Sequence, residues 1–391
     1  VNDLEQCLCP AHELVCLVID EAHKATGQHA YVQAVKMLSE RSGGFRVLAL
    51  SATPGRDPMA VQQVVTNLRI SRVESRDEQS VDVVGSLCDR TVQVLRVAID
   101  GPYLRARESV GHIFGGMLRK LAGFGVIYDT DPQRISSYQL FEMQNKLSTN
   151  PPPNMQAHQK FACMSQISLA RDLAQGYELV CCHGVESALN HFLAMMEPKK
   201  DDGGKRKGQM KERHAAALYS SLDWEAMLRT LDGCANADSH PKVTVMCQLV
   251  LEHFAEHGET TRVMIFSTYR ESVAELTGRL GKVAGVRPAV FVGQAKGKGV
   301  NNKGMNQRTQ REVIGKFERG EVNLLVATSI GEEGLDIGEV DLIICFDSPA
   351  SATRQTQRFG RTGRKHAGRV VVLLTEGIEE QRYRRQQDNK V

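Results

Sequence analysis

Residues 14–19 form an unbroken apolar run, Leu14-Val15-Cys16-Leu17-Val18-Ile19, that ends in acids. Such a run fits a strand buried on both faces. An amphipathic segment follows at Ala30–Leu38, then a second apolar run at Arg46–Leu50. Strand, helix and strand at this spacing predict a βαβ unit with parallel sheet. From about residue 100 to 235 the pattern changes: Leu104–Leu121, Ser136–Lys146, Ala157–Leu173 and Val185–Met196 carry helical periodicity with no strand pattern between them. Asn150–Pro153 and the charged stretch Pro198–Arg213 interrupt it, and the second break reads as a mobile loop on a helical insertion. Beyond residue 241 the alternation returns, with strands expected at Val263–Ser267, Ala289–Val292, Leu324–Ala327, Leu342–Phe346 and Val370–Leu374. Helices are expected at Glu271–Leu280, Arg308–Glu318, Ala352–Phe359 and Glu379–Asp388. Five strands alternating with helices predict a complete doubly wound lobe. The boundaries drawn are 1–95 for part of a first α/β lobe, 96–238 for the helical insertion and 239–391 for the second lobe.

A chain of 391 residues, 41% hydrophobic and 24% charged, has the composition of a folded globular protein of two or three domains. No apolar run is long enough to cross a bilayer and no secretory leader pattern is present, so no membrane association is expected. The first residue is Val1 rather than Met, which places the expected natural start upstream. A net charge of +3 does not argue for nucleic acid by itself. Basic residues do cluster at Lys199–Arg213, Lys296–Lys303 and Arg382–Arg385, each readable also as a solvated surface. Among ten cysteines the close pairs are Cys7 with Cys9 and Cys181 with Cys182, and no CxxC pair is available for zinc. Buried reduced thiols are the expected state.

Asp20-Glu21-Ala22-His23 directly follows the first buried strand, where carboxylates meet nucleotides in parallel sheets. Asp20 is placed to hold Mg²⁺ through water, and Glu21 to orient or deprotonate an attacking water; an acidic helix cap is the plainer alternative. Ser51-Ala52-Thr53 ends the next strand, with hydroxyls that could relay the state of a nucleotide site. Gly331–Asp336 follows the strand Leu324–Thr328, with glycines that admit phosphate and Asp336 able to accept from a ribose or an arginine. Gln357-Arg358-Phe359-Gly360-Arg361-Thr362-Gly363-Arg364 is the sharpest element. Arg361 and Arg364 lie three apart on one side of a helix turn, and their planar forks suit a γ-phosphate in the transition state.

In order and placement these elements resemble the superfamily 2 helicase set. Asp20–His23 matches motif II, a DEAH box, and Ser51–Thr53 motif III. Val263–Tyr269 matches motif IV, Ala327–Ile337 motif V and Gln357–Arg364 motif VI. The wording narrows the resemblance to the Fanconi anaemia group M and Hef family of DNA helicases and translocases. It is carried by Leu17–Lys24, Ala49–Gly55, Ala60–Val64, Gly331–Asp347 and Arg361–Lys365, and more weakly by Gly176-Tyr177-Glu178-Leu179. The resemblance implies two RecA-like lobes of the P-loop NTPase type, the first truncated, separated by the helical insertion. It implies an ATP- and Mg²⁺-dependent motor that remodels replication forks and four-way junctions in DNA repair, in the nucleus and the Fanconi anaemia pathway, with the insertion recognising branched DNA and with partners from a repair complex.

By the same resemblance Asp20, Glu21, His23, Arg361 and Arg364 are catalytic, and Gly334, Asp336, Gln357 and Gly360 meet the nucleotide. Ser51, Thr53 and Thr328 join a nucleic-acid and coupling set with Thr268 and Tyr269, whose amides and hydroxyls would grip phosphates. Lys296, Lys298 and Lys303 of the basic loop Gly293–Gln307 complete it, unless that loop is a plain surface loop. One departure stands out: no GxxxxGK[ST] occurs in the chain, so the phosphate-binding loop is expected upstream and this chain alone is expected to be inactive. Two other readings are an RNA or double-stranded-RNA-dependent ATPase of the sensor type and a catalytically inactive scaffold.

Overall fold

The computed structural model describes residues 1–42, 44–52, 55, 57–77, 80–84, 88–151, 155–197, 207–235, 240–293, 304–328, 337–349, 351–363 and 366–388. The chain divides into two compact units, Val1–Leu87 with Thr353–Thr356, and Cys88–Ala352 with Gln357–Val391.

In the first unit β1 (Cys16–Ile19) pairs in parallel with β2 (Arg46–Ala49), from Cys16 opposite Arg46 to Ile19 opposite Ala49. Short helices α1 (Asn2–Glu5) and α4 (Val81–Val84) lie toward its ends. The crossover is α2 (Ala30–Arg41), capped by His29, whose Nδ1 accepts from Tyr31 N. Helix α3 (Pro58–Asn67) begins on Asp57, whose carboxylate accepts from Ala60 N at 2.8 Å, with Pro58 set in the first turn where its missing N–H costs nothing. Ile19, Val35, Val64 and Leu68 form the core, with Leu17, Val47 and Ala49 packed on it. The expectation of a strand buried on both faces is corrected here. Val18 and Leu48, which alternate with the core residues, are 59% and 48% exposed. Among the described residues the sheet has two strands, and α2 and α3 cover one face of it.

The second unit holds a six-stranded parallel sheet in the order β3-β8-β7-β4-β6-β5. The strands are β3 (Arg90–Val97), β4 (Val263–Phe266), β5 (Pro288–Phe291), β6 (Leu324–Ala327), β7 (Leu342–Cys345) and β8 (Gly368–Thr375). Every residue of β4, β6 and β7 is buried, because alternate side chains enter two separate cores. Val263, Ile265, Leu324 and Val326 meet α11 (Pro241–His257) and α12 (Arg270–Leu280) on one face. Met264, Phe266, Leu325 and Ala327 meet α13 (Gln307–Arg319) and the end of α14 (Ala352–Phe359) on the other. Helix α15 (Ile378–Asp388) closes the chain. Five strands were expected and six are present among the described residues: β3 pairs along its whole length with β8, from Arg90 opposite Gly368 to Val97 opposite Thr375. It is an edge strand, with Val92 and Val94 about as exposed as its polar neighbours. The second unit thus begins before residue 95, where the sequence reading ended the first lobe.

Between β3 and α11 the described residues form six helices, α5 (Gly101–Gly123), α6 (Ser137–Thr149), α7 (Ala157–Cys182), α8 (Val185–Met196), α9 (Lys207–Tyr219) and α10 (Leu222–Ala235). Helix α6 opens with a capping box, Ser136 accepting from Gln139 N while Gln139 Oε1 accepts from Ser136 N. The bundle core joins Phe114, Leu118, Leu140, Leu173, Phe192 and Trp224, and it continues onto Ile378 of α15 and Tyr269, so bundle and sheet belong to one unit. Part of the expected loop Pro198–Arg213 is helical: α9 begins at Lys207, because Gln209, Met210, Lys211, Glu212 and Arg213 are helix formers whatever their charge. Residues 198–206 lie outside the described residues. All ten cysteines are free thiols. Cys163, Cys181, Cys182, Cys234 and Cys345 are buried as expected, whereas Cys7 and Cys16 are exposed. No helix among the described residues is long and apolar enough to cross a membrane.

Candidate functional site

In the first unit the backbone brings the end of β1 against the end of β2. Leu50 N donates to Ile19 O and Ala22 N donates to Leu50 O, each at 2.8 Å. Between them Glu21 sits at φ 52°, a left-handed conformation that costs a non-glycine residue free energy and is held by its surroundings. Its N–H donates to Asp20 Oδ1 at 2.8 Å. His23 follows on a 3₁₀ turn, Ala22–Lys24. Its Nδ1 lies 3.4 Å from Glu21 Oε2 and 3.2 Å from Ser51 Oγ. Three of the nominated residues therefore meet at one imidazole nitrogen, and a shift of any one is felt by the others. Asp20 is exposed, with one carboxylate oxygen engaged by the Glu21 amide. No cluster of three His, Cys, Asp or Glu among the described residues could enclose an ion. A single exposed carboxylate fits Mg²⁺, which keeps most of its water and takes one or two protein carboxylates beside phosphate. Thr53 lies outside the described residues.

In the second unit Thr268 is exposed, but its amide already donates to Asp347 Oδ2 at 2.5 Å, so that N–H is not open to a phosphate. The Tyr269 ring is half-buried, edge-on to His183 with centroids 4.6 Å apart, and burial pushes its phenol well above its usual range. Thr328 is buried, its N–H donating to Phe291 O at 3.1 Å. Helix α14 ends at Phe359, so Gly360 and Arg361 lie on the turn after the helix rather than on its side. Arg361 is half-buried and is fixed through its backbone: its N–H donates to Arg358 O and its carbonyl accepts from Val340 N. Gly363 needs its glycine, for φ is 77° and an added Cβ would sit 3.3 Å from Arg90 Cβ. Its carbonyl accepts from Cys88 N at 3.0 Å, so the start of β3 pins the turn. Gln357 is half-buried at the end of α14. Gly334, Asp336, Arg364, Lys296, Lys298 and Lys303 lie outside the described residues.

A buried charged network with no motif of its own in the sequence lies at the C-terminal ends of β4, β7 and β8. Asp347 follows β7; its Oδ2 accepts from Ser267 Oγ at 3.1 Å as well as from Thr268 N. Its Oδ1 faces His183 Nε2 at 3.2 Å, a close electrostatic contact rather than an aligned hydrogen bond, and Lys242 Nζ at 3.9 Å. Its carbonyl accepts from Arg358 Nη1 at 3.2 Å. Lys242 also donates to Glu379 Oε2 at 2.9 Å, and Glu379 in turn accepts from Thr375 N and Ser348 N. Burial alone would raise the Asp347 carboxyl, yet the His183 and Lys242 charges and the Thr268 amide hold it below the ordinary carboxylate range. His240 caps α11, its Nδ1 accepting from Lys242 N and its Nε2 meeting Cys181 O at 3.0 Å. Burial first, then the Lys242 charge, lower its pKa to about 3. The one available signal was Asp347 itself, an acid placed after a buried strand as Asp20 is.

The helicase conserved C-terminal domain matches residues 241–366. The whole chain aligns at 37% identity with an ATP-dependent DNA helicase mph1 of Neurospora crassa, covering 33% of that protein. It aligns at 40% identity with the Fanconi anemia group M protein of Gallus gallus, covering 20% of it. The chain therefore spans a third or less of the length of these two relatives. Among solved structures, the Pyrococcus furiosus Hef helicase domain matches with a TM-score of 0.68 and 27% identity over 98% of this chain and 76% of that one.

Proposed function

We propose that this chain, homologous along its whole length to the mph1 and Fanconi anaemia group M helicases, is the motor segment of an ATP-dependent DNA helicase or translocase acting on branched DNA in repair. The observation that carries this reading is the junction of Glu21, His23 and Ser51 at one imidazole nitrogen. A carboxylate that activates water must be held in one pose, and the left-handed backbone at Glu21 together with His23 does so. His23 then links the same carboxylate to Ser51, a route by which the state of the nucleotide reaches the end of β2. Arg361 and Arg364 serve the charge that develops on the γ-phosphate, with Gln357 and Gly360 beside them and Gly334 and Asp336 near the nucleotide. Asp20 would hold Mg²⁺, which when bound supplies charge neutralisation at the phosphates. Thr268, Tyr269, Thr328, Thr53 and the lysines at 296, 298 and 303 form the nucleic-acid and coupling set. Replication forks and four-way junctions are the proposed substrates, the nucleus the proposed site, and a repair complex the proposed company.

Because no GxxxxGK[ST] occurs in these 391 residues, the test uses the whole protein. Glu21→Gln should bind ATP and DNA as the parent does, while hydrolysis falls about 10²–10⁴-fold, the usual worth of a positioned general base. Normal turnover in that variant would remove Glu21 from the role of water activator.

A further inference from the structure

The segment after β4 is held from one place. Ser267 Oγ and Thr268 N both donate to Asp347 Oδ2, the Tyr269 ring lies edge-on to His183, and Ser272 Oγ, in the first turn of α12, meets His183 Nδ1 at 2.7 Å. His183 Nε2 faces the other Asp347 oxygen at 3.2 Å. From residue 267 to 272, these four residues are thus positioned by His183 or by the carboxylate it touches. His183 comes from the helical bundle, where it ends α7: its N–H donates to Leu179 O, and Gly184, at φ 130°, turns the chain into α8. Histidine and aspartate are 3% and 4% exposed, so water does not compete for either. Asp347 has a second charged neighbour in Lys242, whose Nζ lies 3.9 Å from the same oxygen.

We infer that His183 is a positioning residue for the grip of the Thr268 hydroxyl on nucleic acid: the helical bundle sets the conformation of the loop after β4 through His183 and Asp347. This rests on the proposed role of Thr268. An imidazole meets this need because it offers one nitrogen to Ser272, the opposite nitrogen to Asp347 and a flat ring set nearly perpendicular to that of Tyr269. The two side-chain amides separate these duties. Gln at 183 places its nitrogen near the position of Nε2 and keeps the Asp347 contact; Asn reaches no further than Nδ1 and keeps Ser272 alone.

The experiment measures DNA-stimulated ATP hydrolysis by the whole protein against DNA concentration, with a thermal melt of each variant. His183→Asn should raise the half-activating DNA concentration about 10-fold while the rate at saturating DNA stays within about twofold, as loss of one phosphate contact would. His183→Gln should restore the parental half-point. Thr268→Ala, run beside them, tests the reading beneath: a parental half-point there refutes the DNA role of the loop and the inference with it. If Thr268→Ala raises the half-point and His183→Asn changes only the melt, the inference alone is overturned. Should His183→Asn fail to melt cooperatively, Asp347→Asn, which can still accept from Thr268 N but turns an amide nitrogen toward His183 Nε2, is read in the same way.

Discussion

Gly176 lies inside α7, and its replacement by alanine sets two effects of opposite sign against each other. In a helix interior alanine is favoured over glycine by about 1 kcal/mol. Here, however, the added Cβ would lie 2.1 Å from Phe192 Cζ, 2.4 Å from Cε1 and 2.9 Å from Cε2. Carbon atoms rest at about 3.5–4.0 Å, so the ring would have to retreat by more than an ångström. It has nowhere to go: Phe192 is fully buried and stands edge-on to Trp224 with centroids 5.6 Å apart. Overpacking costs about 1–3 kcal/mol, and a rigid ring in a filled core belongs at the top of that range. The net expectation for Gly176→Ala is a loss of roughly 2 kcal/mol. Trp224, the one tryptophan of the chain, reports on this part of the bundle, so urea unfolding followed by its fluorescence is the assay. Phe192→Leu in the same chain should recover much of the loss, since the pair is in contact. A midpoint unchanged or raised by Gly176→Ala would refute the packing argument, because helix propensity alone would then have decided the sign.

Lys242→Met should cost about 3 kcal/mol, because it leaves Glu379 and Asp347 buried with one cation fewer. A loss under about 1 kcal/mol in denaturant unfolding would mean that the remaining partners suffice. Stability should also fall in acid. His240 has a folded pKa of about 3, below its unfolded value, so the unfolded chain binds the proton first and stability drops as pH falls below about 6.5. Asp347, held low as well, adds loss of the same sign at lower pH, once the carboxylate range of the unfolded chain is reached. From pH 7 to pH 4 the His240 share is roughly 3 kcal/mol, and equilibrium unfolding at the two values that agreed within about 1 kcal/mol would contradict its buried neutral state.

The central strands were legible because burial on both faces leaves an unbroken apolar run, as in Val263–Phe266 and Leu342–Cys345. The same signal misled at β1, where an equally apolar run has one open face: a run records residue type, not what covers it. Strand β3 escaped because an edge strand tolerates Arg90, Gln93 and Arg96 among its valines. The site divides in a similar way. Asp20, Glu21, His23 and Ser51 were legible because each sits at a strand end in a short motif, and the structure adds that the last three meet at one atom. His183 was not, since a lone histidine at a helix end carries no pattern, and its partners come from β7 and α12, distant in sequence.

The proposed function requires that branched DNA stimulate ATP hydrolysis by the whole protein. ATP hydrolysis by the whole protein, measured without nucleic acid and with forked DNA, linear duplex DNA or duplex RNA at equal nucleotide concentration, tests it directly. Forked DNA should stimulate hydrolysis most strongly and duplex RNA little. Preferential stimulation by duplex RNA would contradict the substrate assigned, and the absence of stimulation by any of the three would contradict the motor itself.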